Sequence, residues 1–201
     1  MTKIICLNGP PNCGKDTVGN MIKTKLAYQG YECETIAVKD ALFHYIKENY
    51  PFVPLEKYHA STIEVMGAEG SRGLPKRFKE APVIDFMGQK MSMRQLLIDL
   101  SEEQLKPKFG SDFLAKMCYD AVFALDVDFA IITDVGFNCE YTVFRDNLET
   151  HLIKIYRYGC NFEKDSRKRL AACGDKVYRL NNDSTLAELA KKLDNLIEEI
   201  I

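Results

Sequence analysis

The residues most able to do chemistry lie near the start of the chain. Gly9-Pro-Pro-Asn12-Cys13-Gly14-Lys15-Asp16-Thr17 has two glycines five apart, then a lysine. It follows the apolar run Ile4-Ile5-Cys6-Leu7 and precedes a stretch with helical periodicity. A strand, a Gly-rich turn and a helix in that order are what a phosphate-binding loop needs. Gly9 and Gly14 permit backbone shapes and close approaches that a Cβ would block. The loop amides and the positive end of the helix then converge on a nucleotide's phosphates. Lys15 supplies a full charge to the β- and γ-phosphates. The hydroxyl that usually follows the lysine is displaced to Thr17, and Asp16 takes its place. A carboxylate holds Mg²⁺ directly or through water, so Asp16 and Thr17 are candidate metal-side residues. The alternative for Asp16 is stabilisation of the helix's first turn.

Further candidates follow from where strands must end. Asp134 closes the run Phe129-Ala-Ile-Ile-Thr, at the edge where parallel sheets bind ligands. It could orient Mg²⁺ or an acceptor oxygen, or else cap the stretch after Phe137. Lys39, Arg94 and Arg157 each border an element expected at that edge, and Ser166-Arg167-Lys168-Arg169 follows a little later. Phosphoryl transfer needs spreading charge to be neutralised, so arginines on mobile segments would fit. Asn181-Asn182-Asp183-Ser184 reads as turn and cap chemistry, with Asn182 open to a contact with a base. Phe43, Tyr45, Phe52, Tyr58, Phe78 and Phe86 could stack a nucleobase, although core packing accounts for most of them.

These residues need a scaffold, and the apolar pattern supplies one. Strands are expected at 4–7, 35–38, 129–133, 152–156 and 177–180. Helices are expected at 16–28 (stopped by Gly30), 40–49, 138–148, 163–171 and 185–200, the last starting at Ser184. Strand alternating with helix implies parallel strands and crossovers in a three-layer α/β sandwich. Residues 51–110 break the rhythm. They hold five of the seven prolines, the Gly-rich 67–73, and Arg72, Lys76, Arg77, Lys79, Lys90 and Arg94. This segment reads as an insert, partly helical and mobile around 66–92, on a single domain spanning 1–201.

Composition excludes other classes. The chain has 201 residues, 46% of them apolar and 28% charged, with Lys plus Arg 27 against Asp plus Glu 29. That is a globular balance. A formal charge of −2 leaves no global basic field, so a nucleic-acid partner is not expected and any anion must be held locally. The seven cysteines are scattered without Cys-x-x-Cys or zinc spacing, and read as buried or half-buried thiols of a reducing compartment. Residues 1–8 lack a signal-peptide pattern, and nothing approaches the ~18 apolar residues of a membrane span. A cytoplasmic protein is expected.

The whole constellation resembles the deoxynucleoside monophosphate kinases of tailed bacteriophages and, more distantly, phosphomevalonate kinases. The resemblance runs through Gly14-Lys15-Asp16-Thr17, Val38-Lys39-Asp40-Ala41-Leu42, Lys76-Arg77-Phe78-Lys79-Glu80 with Pro82, and Met93-Arg94-Gln95-Leu96-Leu97. It continues through Phe109-Gly110-Ser111-Asp112-Phe113, strand-ending Asp134 and Leu180-Asn181-Asn182-Asp183-Ser184-Thr185-Leu186. It implies a P-loop nucleoside monophosphate kinase, phosphorylating a dNMP with ATP and Mg²⁺ in the (host) cytoplasm. Lys15 would hold the donor phosphates, with Gly9, Asn12, Cys13, Gly14, Asp16, Thr17 and Asn182 around the nucleotide. Lys39, Arg77, Arg94 and Asp134 would take the acceptor. Arg157 and Arg167 would act as cations of a short lid at 158–169, with Lys15, Arg94 and Asp134 completing the catalytic set. Its partners would be small-molecule nucleotides, with a homodimer left open. The family's arginine after the strand-ending Asp is absent, since Asp134 is followed by Val-Gly-Phe-Asn.

Overall fold

A computed structural model describes residues 2–50, 53, 84–163 and 165–201. Within them the chain forms two compact units, one of Met1–Val38 with Ala115–Ile201 and one of Lys39–Leu114. Arg72, Lys76, Arg77, Lys79 and the glycines of 67–73 lie outside the described residues.

The first unit is built on five strands: β1 (Lys3–Asn8), β2 (Cys33–Ile36), β5 (Phe129–Ile132), β6 (Thr150–Tyr156) and β7 (Val177–Asn181). They lie in the order β2-β5-β1-β6-β7, and every pairing is parallel. This is the expected α/β class. A parallel strand covered on both faces must be apolar throughout, and Ile4, Ile5, Cys6 and Leu7 are completely buried.

Helix α1 (Lys15–Tyr28) buries Val18, Ile22 and Leu26, spaced four apart so that they share one side. It ends at Gln29, and Gly30 follows with φ of 89° while Gly30 and Tyr31 donate to the carbonyls of Ala27 and Leu26. Helix α7 (Leu186–Ile200) starts at a capping box: Thr185 Oγ1 accepts from the Glu188 amide, and Glu188 Oε2 accepts from the Thr185 amide. The cap is therefore Thr185, one residue past the expected Ser184. Leu189, Leu193, Ile197 and Ile200 of α7 join the α1 residues and Ile5, Leu7, Ile131 and Ile153 of the sheet in one core cluster. Truncating one of these leucines to alanine costs about 2–5 kcal/mol. On the other face, Cys6 neighbours Cys118 of α5 (Phe113–Phe123) and Tyr141 of α6 (Asn138–Asn147).

The second unit holds most of α2 (Val38–Asn49), a hairpin of β3 (Ile84–Phe86) and β4 (Gln89–Met91), α3 (Met93–Ile98), a π-helical turn (Asp99–Leu105) and α4 (Lys106–Phe109). The hairpin, which the partly helical reading of the insert did not include, turns through Met87 and Gly88, both with positive φ.

Three expectations need correction. Residues 163–171 form no helix among those described. Their backbone groups bond elsewhere: the Lys168 amide to Gly136 O at 3.0 Å, the Leu170 amide to Asn8 Oδ1 at 3.2 Å and the Ala171 amide to Asn138 Oδ1 at 3.2 Å. Strand β2 ends at Ile36, before the expected 38, because α2 already begins at Val38. Cys173 is exposed, whereas Cys6, Cys13, Cys33 and Cys118 are buried; none of the seven is in a disulfide.

At the sheet's far end, His151 is buried between Tyr178 Oη at 3.2 Å and Glu149 Oε1 at 3.4 Å, with Lys176 and Lys3 also on Glu149. Burial lowers the His151 pKa, against the raising effect of Glu149. The unfolded chain, titrating near 6.5, therefore binds this proton more readily, and stability is lost as pH falls through that value. Glu149 is shifted down by its bond to Lys176, so its contribution disappears only at more acid pH. Melting temperature should drop between pH 7.5 and 5.5, and His151→Gln should flatten that drop; parallel curves for the two proteins would contradict this origin.

Candidate functional site

Strand β1 ends at Asn8, between the ends of β5 and β6, and the chain turns through residues 9–14 before α1 starts. Asn12 has φ of 63° and Gly14 φ of 95°, while the Cys13 amide bonds to Pro10 O at 3.3 Å. Left-handed residues in a turn bring successive amides to one concave side. No side chain caps α1 at Gly14, and the first bond inside the helix runs from the Val18 amide to Gly14 O at 2.9 Å. The amides of Lys15, Asp16 and Thr17 thus have no carbonyl within the helix to bond, at its positive end. An anion fits that end.

Both glycines are required. A Cβ on Gly9 would run into Cys13 Sγ, and one on Gly14 would run into Asn182 Nδ2. Asn182, buried just past β7, donates from Nδ2 to Cys13 O at 2.8 Å, and its amide bonds to Tyr156 O at 2.8 Å. Its side-chain amide braces the loop.

Lys15 Nζ donates to Gly9 O at 2.6 Å and Pro10 O at 2.8 Å. Burial lowers its pKa; Cys13, Asp16 and Asp134 act to raise it and Arg167 to lower it. Burial likewise pushes the Cys13 thiol up, against the pull of Lys15. Asp134 Oδ1 accepts from the Val38 amide at 2.6 Å. That bond ties the end of β5 to the start of α2, and it explains the early start of that helix. Capping of α6 falls to Glu140, whose Oε2 accepts from the Gly136 and Phe137 amides at 2.9 and 3.2 Å.

Arg157, past the end of β6, donates to Asn12 O at 3.4 Å. Arg167 forms a two-pronged pair with Asp165, Nε to Oδ1 at 2.9 Å and Nη2 to Oδ2 at 2.6 Å. Its stem covers Gly136, where any Cβ would collide with it. The Asp165 bond raises the Arg167 pKa, burial opposes this, and Asp134 adds to the rise.

The fold thus gathers Gly9, Asn12, Cys13, Gly14, Lys15, Asp16, Thr17, Asp134, Arg157, Arg167 and Asn182 at one edge of the sheet. Lys39, half-buried in the first turn of α2, and Arg94, exposed in the first turn of α3, belong to the second unit. Arg77 lies outside the described residues. Two residues at this edge are not singled out by the sequence, one of them named only within the run 166–169. Arg169 donates from Nη1 to Asn8 O at 3.2 Å and Ile155 O at 2.9 Å, with its guanidinium 4.0 Å from the Tyr156 ring centre. Asn8 is the other; its only signal is a polar residue ending an apolar strand.

Mg²⁺ is usually held by one or two carboxylates together with substrate phosphates. Asp16 and Asp134 both act on the Lys15 ammonium, a donor set that fits a cation arriving with phosphates. Among the described residues no group of three or more His, Cys, Asp or Glu side chains could hold a metal, and no helix is long and apolar enough to cross a membrane.

The candidate site is therefore a Gly-rich turn between a central strand and a helix N-terminus, on a five-stranded parallel sheet. Two solved structures of the Mycobacterium tuberculosis APS kinase CysC resemble the chain, a Cys556Ala mutant and a complex with AMPPNP and APS. Each has a TM-score of 0.48 and 12% sequence identity, covering 98% of this chain and 97% and 98% of the respective structures. A likeness of that degree carries no statement about substrate. No family model and no curated protein matches.

Gly14→Ala tests the loop. Left-handed strain of about 1–2 kcal/mol should lower Tm by about 2–8 °C. The loss should be smaller when Asn182 is also alanine, since the new methyl then has room. A Gly14→Ala protein that melts with the parent would show the loop is not held in this shape.

Proposed function

We propose that this protein transfers the γ-phosphoryl group of ATP to the phosphate of a deoxynucleoside monophosphate, giving the diphosphate and ADP. The supporting observation is the convergence of Lys15, Arg157 and the first-turn amides of α1 on one loop, with Asp134 and Arg167 beside it. Glycines, amides and an ammonium of this kind suit a triphosphate tail. The nucleotide identity of the acceptor rests on the family resemblance of the sequence motifs.

In this reading Lys15 leaves the carbonyls of Gly9 and Pro10 for the β- and γ-phosphate oxygens. Arg157 and Arg167 offset charge on the group in flight, where positioning and electrostatics dominate the rate. Mg²⁺, when bound with the nucleotide beside Asp16 and Thr17, would neutralise phosphate charge. Lys39, Arg77 and Arg94 are assigned to the acceptor phosphate, and Asp134 to orienting its attacking oxygen. An acceptor oxygen forms the new P–O bond as the bond to ADP breaks, with no covalent enzyme intermediate.

The test is a melting screen of all NMPs and dNMPs with a non-hydrolysable ATP analogue, followed by assay of ADP release. At a hundred times its Kd the analogue should raise Tm by about 5–10 °C. Lys15→Met should remove that rise, and ADP release should depend on a nucleoside monophosphate. Release driven only by a non-nucleotide acceptor would overturn the substrate, and no rise with any nucleotide would overturn the whole reading.

A further inference from the structure

Asn8 is completely buried at the last position of β1, directly before Gly9. Its side-chain amide uses both donors and its acceptor on two different stretches of backbone, the turn after β5 and the strap at 165–171. Nδ2 donates to Val135 O at 2.9 Å and Lys168 O at 3.0 Å, and Oδ1 accepts from the Leu170 amide at 3.2 Å. Its main-chain carbonyl takes Arg169 Nη1 at 3.2 Å. Two of the partners are next in sequence to a residue of the site, Val135 to Asp134 and Lys168 to Arg167, and Asn8 itself precedes the loop. One planar amide therefore joins the phosphate loop, the end of β5 and the strap at 165–171.

Besides Asn8, the strap is held among the described residues by the Lys168 and Ala171 amides on Gly136 O and Asn138 Oδ1. The Arg169 guanidinium on Ile155 O and over the Tyr156 ring and the buried Leu170 side chain also hold it, while Asp165 and Arg167 pair with each other. With no helix to order it, the strap depends on long-range bonds of this kind.

We propose that Asn8 is a positioning residue, holding the strap against the phosphate-loop edge and so setting where the Arg167 guanidinium stands relative to Lys15 and Asp134. No other side chain of its size supplies two donors and one acceptor in a plane. Aspartate keeps the acceptor for Leu170 but turns a second oxygen on the carbonyls of Val135 and Lys168. Alanine leaves those carbonyls and the Leu170 amide without their partner. The proposal rests on the phosphotransfer reading for its kinetic consequence, and on geometry alone for its mechanical one.

The experiment compares wild type, Asn8→Ala, Asn8→Asp, Arg167→Ala and Asn8→Ala/Arg167→Ala, each shown to be folded by circular dichroism. Trypsin reads the mechanical part, because the strap offers Arg167, Lys168 and Arg169. Cleavage there should be about tenfold faster in Asn8→Ala than in wild type, without any substrate. Kinetics read the rest. In Asn8→Ala the kcat should fall roughly tenfold to a hundredfold while KM for ATP stays within about threefold. In the Arg167→Ala background the same substitution should cost about twofold or less, because its effect has passed through the missing arginine. If Asn8→Ala does not fold, Asn8→Asp carries the same comparisons. Cleavage unchanged from wild type, or costs that simply multiply in the double variant, would overturn the proposal. A wild type inactive with every acceptor, alongside faster strap cleavage in the variant, would sink the phosphotransfer reading and leave the anchoring by Asn8 supported.

Discussion

The placing of β1 in the middle of a parallel sheet is the constraint from which the site follows. All five strands run the same way, so all their outgoing turns emerge at one edge. The turn after β1 must then sit between the turn after β5, which carries Asp134, and the turn after β6, which carries Arg157. β7 leaves from beyond β6, and its exit brings Asn182 within bonding distance of Cys13 O. A strand swap would separate these residues even if every loop kept its local shape. The apolar run Ile4–Leu7 is what makes β1 a central strand, since only strands covered on both faces tolerate such a sequence.

The loop is held both by its own sequence and by distant bonds. Gly14 takes its left-handed φ freely while Asn12 does so at some conformational cost, and the Cys13 amide and Lys15 Nζ bond within the turn. Asn182 from one side and Arg157 from the other each take a carbonyl of the loop, at Cys13 and Asn12. Those bonds leave the amides of the first helical turn facing outward. An oxygen-rich anion can use amides in that state at little reorganisation cost, which is the advantage of a preformed site.

The sequence was most readable where structure is local. The strand, loop and helix at 3–28 follow from neighbouring residues, and the buried parallel strands announce themselves as continuous apolar runs. Boundaries moved where a distant group intervened: Val38 joins a helix because Asp134, ninety-six positions on, takes its amide. Residues 163–171 contain good helix formers, yet their amides and carbonyls go to Asn8, Gly136 and Asn138. No window of sequence contains that competition. The same applies to roles. Nothing in the Asn181–Ser184 turn announces that Asn182 reaches back to Cys13, and the run Ser166–Arg169 does not reveal which arginine stacks on Tyr156 and which pairs with Asp165.

A chain of formal charge −2 can still present a cationic site, and the partners of each cation show how. Lys15, Arg157 and Arg169 all donate to main-chain carbonyls: Gly9 and Pro10, Asn12, and Asn8 with Ile155. A carbonyl orients a cation without cancelling its charge. Arg167 differs, because Asp165 offsets it through a two-pronged pair. The charge at the loop is therefore the sum of three carbonyl-held cations and the Asp16 and Asp134 carboxylates near Lys15, with Arg167 contributing close to its pair. Exchanging a neutral carbonyl for a phosphate oxygen is electrostatically favourable, whereas drawing Arg167 from Asp165 exchanges one anion for another. In the phosphotransfer reading, Arg167 would respond to a group that brings more than one negative oxygen within its reach, and its response to the transferring phosphoryl group would depend on how firmly the strap beneath it is held.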